Sequence, residues 1–171
     1  MTFAIISDIH DNLANLEKVI NYINKNKIGK LIISGDLTNP ETLSFLRKKF
    51  KGEINYVFGN NEEYNLQGNM YLEEYKAIDK NINIFKETGE AKIDNLKIAF
   101  THYPETAKEL AKSGKYNLVF FGHTHKPAIE TIDKTILLNP GTTGGIFYQP
   151  SFAVFNTKTK KPELILLNEL K

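Results

Sequence analysis

Three short runs of apolar, largely β-branched residues, Phe3 to Ser7, Leu31 to Ser34 and Ile54 to Phe58, alternate with two helical patterns at the start of this chain. Nothing else in the sequence restricts the fold as strongly. Strands that are apolar on both faces and joined through helices pair in parallel beneath a helical layer. The first helix, Asn12 to Asn26, places Leu13, Leu16, Val19, Ile20 and Ile23 on one face. The second, Glu41 to Lys49, follows Asn39 and Pro40, a cap residue and a first-turn proline.

The polar stretch Glu62 to Met70, which contains Gly68, predicts a loop ahead of a short helix around Tyr71 to Ile78. From Ile82 onward short strands dominate. Ala91 to Ile93 and Lys97 to Thr101 flank Asp94-Asn95 as a hairpin, although that turn lacks the preferred glycine. Further strands are predicted at Leu118 to Phe121, Ala128 to Ile132, Thr135 to Leu138, Phe152 to Phe155 and Glu163 to Leu167, with one helix, Glu105 to Lys112, among them. Many strands with few helices predict two packed sheets flanked by helices. No linker, repeat or low-complexity segment divides residues 1–171, so a single domain is expected.

The absence of cysteine excludes a disulfide framework, a thiolate zinc site and a cysteine nucleophile, so any metal must be held by nitrogen and oxygen. The net charge of +2 is spread along the chain. Its densest basic block, Arg47-Lys48-Lys49, reads as a solvated face near a helix C-terminus, which disfavours nucleic-acid coating but leaves nucleic acid open as a substrate. No apolar run nears the ~18 residues needed to span a bilayer, so no membrane partner is expected. The first residues lack a leader pattern, and a cytoplasmic location is the expectation.

All four histidines fall in short polar motifs at the predicted ends of apolar runs: Ser7-Asp8-Ile9-His10, Thr101-His102 and Gly122-His123-Thr124-His125, accompanied by Gly35-Asp36 and Gly59-Asn60-Asn61-Glu62. Strand ends are where α/β proteins place ligand-binding groups. Asp8 and His10, two residues apart in a segment read as extended, project from one side of the backbone, and His123 and His125 repeat the spacing. With Asp36, Asn60 and His102 they supply seven donors, too many for one tetrahedral ion and suited to two ions of higher coordination. Gly35, Gly59 and Gly122 each precede one of these donors, where close backbone approach favours a residue without Cβ.

The ordered set SDIH, GD, GNNE, TH and GHTH resembles the calcineurin-like metallophosphoesterase superfamily, and the small size with Asn139-Pro140-Gly141 after the last motif resembles its single-domain YfcE-type branch. The resemblance implies an α/β fold, a four-layer α/β/β/α sandwich with two divalent ions above the strand ends. It implies that Asp8, His10, Asp36 and His125 hold the first ion and that Asp36 bridges to a second held also by Asn60, His102 and His123. Manganese is the expected ion, with nickel, iron, cobalt and zinc compatible with the same donors. Two such ions carry more charge than Asp8, Asp36 and a hydroxide neutralise, so the centre attracts an anionic phosphate ester. The implied reaction is phosphodiester hydrolysis by a metal-bridging hydroxide, with Asp36, His102 and Asn61 as catalytic residues. The expected substrate is a small-molecule or nucleotide phosphate ester.

Three departures bear on the substrate. Many relatives carry histidine after the motif asparagine; here Asn61 stands there, which donates a hydrogen bond but not a proton and so favours good leaving groups such as aryloxides. Tyr103 stands where relatives often have glycine, and together with Asn61 it is a candidate substrate contact. Thr142-Thr143 is a further candidate for the cleft wall, whereas Tyr64, Met70 and Tyr71 read as packing residues rather than base-stacking platforms. The alternative is a non-catalytic, metal-bound scaffold, since the retromer complex contains a subunit of similar fold. A homodimer is the prior for assembly.

Overall fold

The computed structural model describes residues 1–65 and 70–170; the side chains of Tyr64, Met70 and Tyr71, and therefore their packing, lie outside the described residues. The first strands and helices run β1 (Thr2–Ile6), α1 (Leu13–Lys25), β2 (Lys30–Ser34), α2 (Pro40–Lys49) and β3 (Glu53–Val57). They continue through α3 (Asn60–Asn65), α4 (Met70–Ile78) and β4 (Ile82–Phe85). The second half comprises β5 (Thr88–Ile93), β6 (Leu96–Thr101), α5 (Pro104–Lys112), β7 (Leu118–Phe120), β8 (Ala128–Ile132), β9 (Thr135–Asn139), β10 (Ser151–Asn156) and β11 (Lys161–Leu166).

Two sheets result. The first has the order β11-β10-β1-β2-β3-β4, with β1 to β4 parallel and β10 and β11 antiparallel at one side. The second, β5-β6-β7-β9-β8, is parallel across β6, β7 and β9 and has an antiparallel strand at each edge.

Alternation along β1 explains the layering. Ala4 and Ile6 turn outward against Leu16, Val19, Ile20 and Ile23 of α1 in one cluster, while Phe3 and Ile5 turn inward against Phe100 and Phe120 of the second sheet. On the far side Ala107 and Ala111 of α5 pack on Ala99, Val119 and Leu137. Helix, sheet, sheet and helix thus stack as the four expected layers. Because both faces of the central strands are covered, they appear in sequence as unbroken apolar runs.

Local expectations fail in two places. Residues 62–65, read as loop, belong to α3. Glu62 at its start is fully buried against the motif loops, and residues 66–69 of the stretch read as loop lie outside the described residues. Asn39 occupies the cap position of α2 and Pro40 its first turn, as expected, but the side chain makes no cap bond; its amide donates instead to Asp11, which also accepts from the Thr42 hydroxyl. The Asp94-Asn95 hairpin forms without glycine because Asp94 takes φ 53°, a conformation aspartate tolerates better than most residues. No helix among the described residues is long and apolar enough to cross a membrane.

Candidate metal centre

The parallel strands β1, β2 and β3 end at one edge of the first sheet, and β6 and β7 end together in the second. The five motif loops follow these five strands. Hydrogen bonding continues past the strands, with Asp8 N donating to Gly35 O at 3.1 Å and Ile9 N and His10 N both donating to Asp36 O at 2.8 and 3.0 Å. The two sheets are joined at this edge by His102 Nδ1, 2.8 Å from Ser34 O.

Asp8, His10, Asp36 and His125 bring one ligating atom each to within 4.8 Å of one another. His125 Nε2 lies 3.2 Å from both Asp8 Oδ1 and His10 Nε2, and His10 Nε2 lies 3.7 Å from Asp36 Oδ2. A second group adjoins it. Asn60 Oδ1 is 3.0 Å from His102 Nε2 and 2.9 Å from His123 Nδ1, and the two imidazoles meet at 3.3 Å. Asp36 Oδ1 is 3.5 Å from His102 Nε2, so the two oxygens of Asp36 face different groups.

All seven residues singled out as donors therefore converge, but not as strand pincers. Asp8, His10, Asp36, His123 and His125 have φ of 53°, 47°, 51°, 67° and 59°, so neither spaced pair is extended. Their side chains are aimed by left-handed turns, which non-glycine residues adopt rarely and which concentrate at functional sites. The members of the last pair also part company, His123 joining the second group and His125 the first.

The glycine expectation has a steric basis. Gly35 has φ 95°, and a Cβ there would overlap the His102 ring, while one at Gly122 would overlap the Ser7 hydroxyl and approach Asp8 Oδ2 to 2.7 Å.

The donor chemistry fits divalent cations. Asp8 is fully buried, and its Oδ1 has no well-aligned hydrogen-bond donor but faces the His125 imidazole at 3.2 Å, an expensive arrangement for a carboxylate unless a positive charge compensates it. With Nδ1 of His102 engaged by Ser34 O and Nδ1 of His125 3.1 Å from Ile146 O, each ring is oriented with Nε2 toward the carboxylates, the outer arrangement typical of metal-ligating histidine. Burial lowers the His10 pKa against the pull of Asp36 and Asp8, whereas the adjacent Asp8 carboxylate raises that of His125. A hollow of about 480 Å³ beside Tyr22, Asn26 and Lys161 lies away from these loops and gathers no histidine, so the site is defined by converging donors rather than by depth.

Asn61 lies within the centre. Its amide donates to Asp36 Oδ2 at 2.7 Å and lies 3.2 Å from His10 Nδ1, while its backbone N donates to Asp36 Oδ1 at 3.0 Å. The half-buried Tyr103 ring packs 5.3 Å from the rings of both His102 and His123. Thr142 and Thr143 do not line a cleft: both are fully buried, with Thr142 Oγ1 donating to Asp8 O at 3.0 Å and Thr143 N donating to Ser7 O at 2.9 Å. They fasten the first motif loop. Glu62 has a part that the sequence reading missed, accepting from the backbone N of Asp36, Thr38 and Gly59. A glutamate in a first helical turn ordinarily reads as dipole complement, which hides such burial.

The fold is that of the calcineurin-like phosphoesterases, and the superfamily domain of that family matches residues 1–160. The chain belongs to that superfamily. It is 31% identical over 173 residues to phosphodiesterase MJ0936 of Methanocaldococcus jannaschii, covering 98% of this chain and 99% of the relative. A solved archaeal phosphodiesterase superposes with TM-score 0.84 at 28% identity, covering 97% and 99% of the two chains. Two structures of lower identity share the fold: the phosphoesterase YfcE of E. coli, with TM-score 0.72, 19% identity and coverage of 100% and 96%, and a Vps29 variant of Entamoeba histolytica, with TM-score 0.68, 21% identity and coverage of 97% and 99%.

Proposed function

We propose that this protein is a binuclear metal-dependent phosphodiesterase acting on small phosphate esters. The reading is carried by one observation: two groups of nitrogen and oxygen donors meet at opposite oxygens of Asp36, beside the fully buried carboxylate of Asp8. Asp8, His10, Asp36 and His125 would hold one ion, and Asp36, Asn60, His102 and His123 the other. Bound there, divalent cations would acidify water to supply the nucleophile and polarise the phosphoryl oxygen. Manganese is the ion we favour. The protein's own part is to orient: Ser34 O fixes His102, Ile146 O fixes His125, and Asn61 holds Asp36 through both backbone and side chain.

Asn61 is a carboxamide and transfers no proton, so the departing oxygen must leave without help from that position. Manganese-loaded protein is expected to hydrolyse bis(p-nitrophenyl) phosphate and to lose that activity on chelation. Within a series of aryl esters, rate should fall steeply as leaving-group pKa rises, and alkyl monoesters should turn over at least about 10²-fold more slowly, the contribution typical of general acid catalysis. A flat leaving-group dependence would show that another group protonates the product.

The likeness to Vps29 supports a second reading, a metal-bound scaffold without turnover. Hydrolysis by wild type that disappears in Asp36→Asn selects the enzyme; metal uptake without hydrolysis selects the scaffold.

A further inference from the structure

We infer that Phe147 is a specificity-determining residue, a stacking wall for a nucleobase or aryl ring carried by the phosphate ester; the inference rests on the phosphoesterase reading above. Phe147 is 88% exposed and has φ 65°. Exposure forgoes the burial a phenyl ring normally gains, and a bulky residue in the left-handed region is a conformational outlier. Folding favours neither feature, and such strain gathers where a ligand is handled.

The surrounding chain is fastened rather than loose. Ile146 O is held by His125 Nδ1, Gly145 N donates to Thr142 Oγ1 at 3.2 Å, and the Asn12 amide donates to Gly144 O at 2.9 Å. The first and last of these bonds tie the segment to the chain that follows β7 and β1, and Thr142 Oγ1 in turn donates to Asp8 O at 3.0 Å. What projects from the fastened segment is the Phe147 ring, whose centroid lies 5.5 Å from that of His125 at an interplanar angle of 45°. Tyr103 stands in the corresponding place beside the other donor group, against His102 and His123. Each group of donors is therefore flanked by one aromatic side chain.

A phosphoryl group bound between the donor groups sends its ester substituents outward past these flanks. A flat ring on one substituent can cover the exposed Phe147 face, and base or aryl stacking on such a face is tolerant of ring identity. Phe147 thus selects planar aromatic esters without reading their hydrogen-bonding edges.

The test is calorimetric titration of the manganese-loaded full chain with phenyl phosphate and with inorganic phosphate. Phe147→Ala is expected to weaken phenyl phosphate about tenfold, at the low end of stacking losses, and to leave inorganic phosphate unchanged, while Phe147→Trp keeps the wild-type preference. Equal weakening of both ligands in Phe147→Ala would overturn the inference, since the residue would then only support the loop. Unchanged affinity for phenyl phosphate would also overturn it, including the case in which sedimentation shows that the ring instead covers a second copy of the chain. Wild-type protein that takes up manganese but binds neither ligand would sink the phosphoesterase reading itself, a result distinct from either of these.

Discussion

Asp36→Asn is expected to reduce metal-dependent phosphodiester hydrolysis at least about 10³-fold, close to 4 kcal/mol of transition-state stabilisation. Asp36 is placed to serve both donor groups, its Oδ2 3.7 Å from His10 Nε2 and its Oδ1 3.5 Å from His102 Nε2. Asparagine keeps the shape but removes one of the two carboxylate charges among the seven donors and replaces an oxygen by a nitrogen that cannot ligate. Metal content, counted by mass spectrometry on the purified variant, should fall for both ions. His125→Ala should instead weaken chiefly the group containing Asp8 and His10.

The metal-free fold should tolerate Asp36→Asn, because the Asn61 carboxamide that donates to Asp36 Oδ2 can turn to offer its oxygen to the new NH2 group. The Asp36 charge is one of the causes, after burial, that raise the pKa of the neighbouring Glu62, so removing it relieves a repulsion. Thermal melts in chelator should therefore place the variant within a few degrees of wild type, separating loss of metal from loss of fold. Full occupancy of both ions in Asp36→Asn, or undiminished turnover, would dismiss the bridging assignment.

How these seven donors converge divides what a sequence displays from what it conceals. Strands β1, β2 and β3 are visible because a parallel strand covered on both faces must be apolar throughout, and α1 because its buried side repeats Leu16, Val19, Ile20 and Ile23. Donor positions are visible because glycine beside Asp36, Asn60 and His123 marks places where a Cβ would strike a neighbouring loop. Donor direction is not. Two-residue spacing reads as extended chain, yet Asp8, His10, His123 and His125 are all left-handed, a choice enforced by contacts between loops distant in sequence. Thr142 and Thr143 carry polar side chains that invite a cleft assignment, but their partners are the carbonyls and amides of the Asp8 loop and of β10, which only tertiary pairing reveals. The prominence of Phe147 has the same origin, since composition cannot say which aromatic a fastened loop leaves outside.

Glu62→Ala should be among the most destabilising substitutions in the protein although the residue is not one of the converging donors. The side chain is fully buried, and its two oxygens accept three backbone N–H bonds, from Thr38 on one and from Asp36 and Gly59 on the other. Hydrogen bonds to a charged acceptor contribute roughly 1.5–3 kcal/mol each, and donors stranded in the interior incur a further penalty. Water entering the emptied space would recover part of this, leaving a net loss of about 3–5 kcal/mol, a large fraction of the ~5–15 kcal/mol that holds a typical domain together. The expected fall in Tm is about 8–15 °C for a chain of this size.

Glu62→Gln preserves volume and one accepting oxygen but points an NH2 group at an existing donor, so it should fall between wild type and alanine, with a loss of about 1–3 kcal/mol. Urea unfolding in chelator measures these losses free of any contribution from bound metal. The same three amides belong to the loops that carry Asp36 and Asn60, so the variants should also bind manganese more weakly in proportion to their instability. If Glu62→Ala unfolds at the wild-type urea midpoint, the amides of Asp36, Thr38 and Gly59 must reach water readily, and this corner of the centre would be open rather than sealed beneath Asp36.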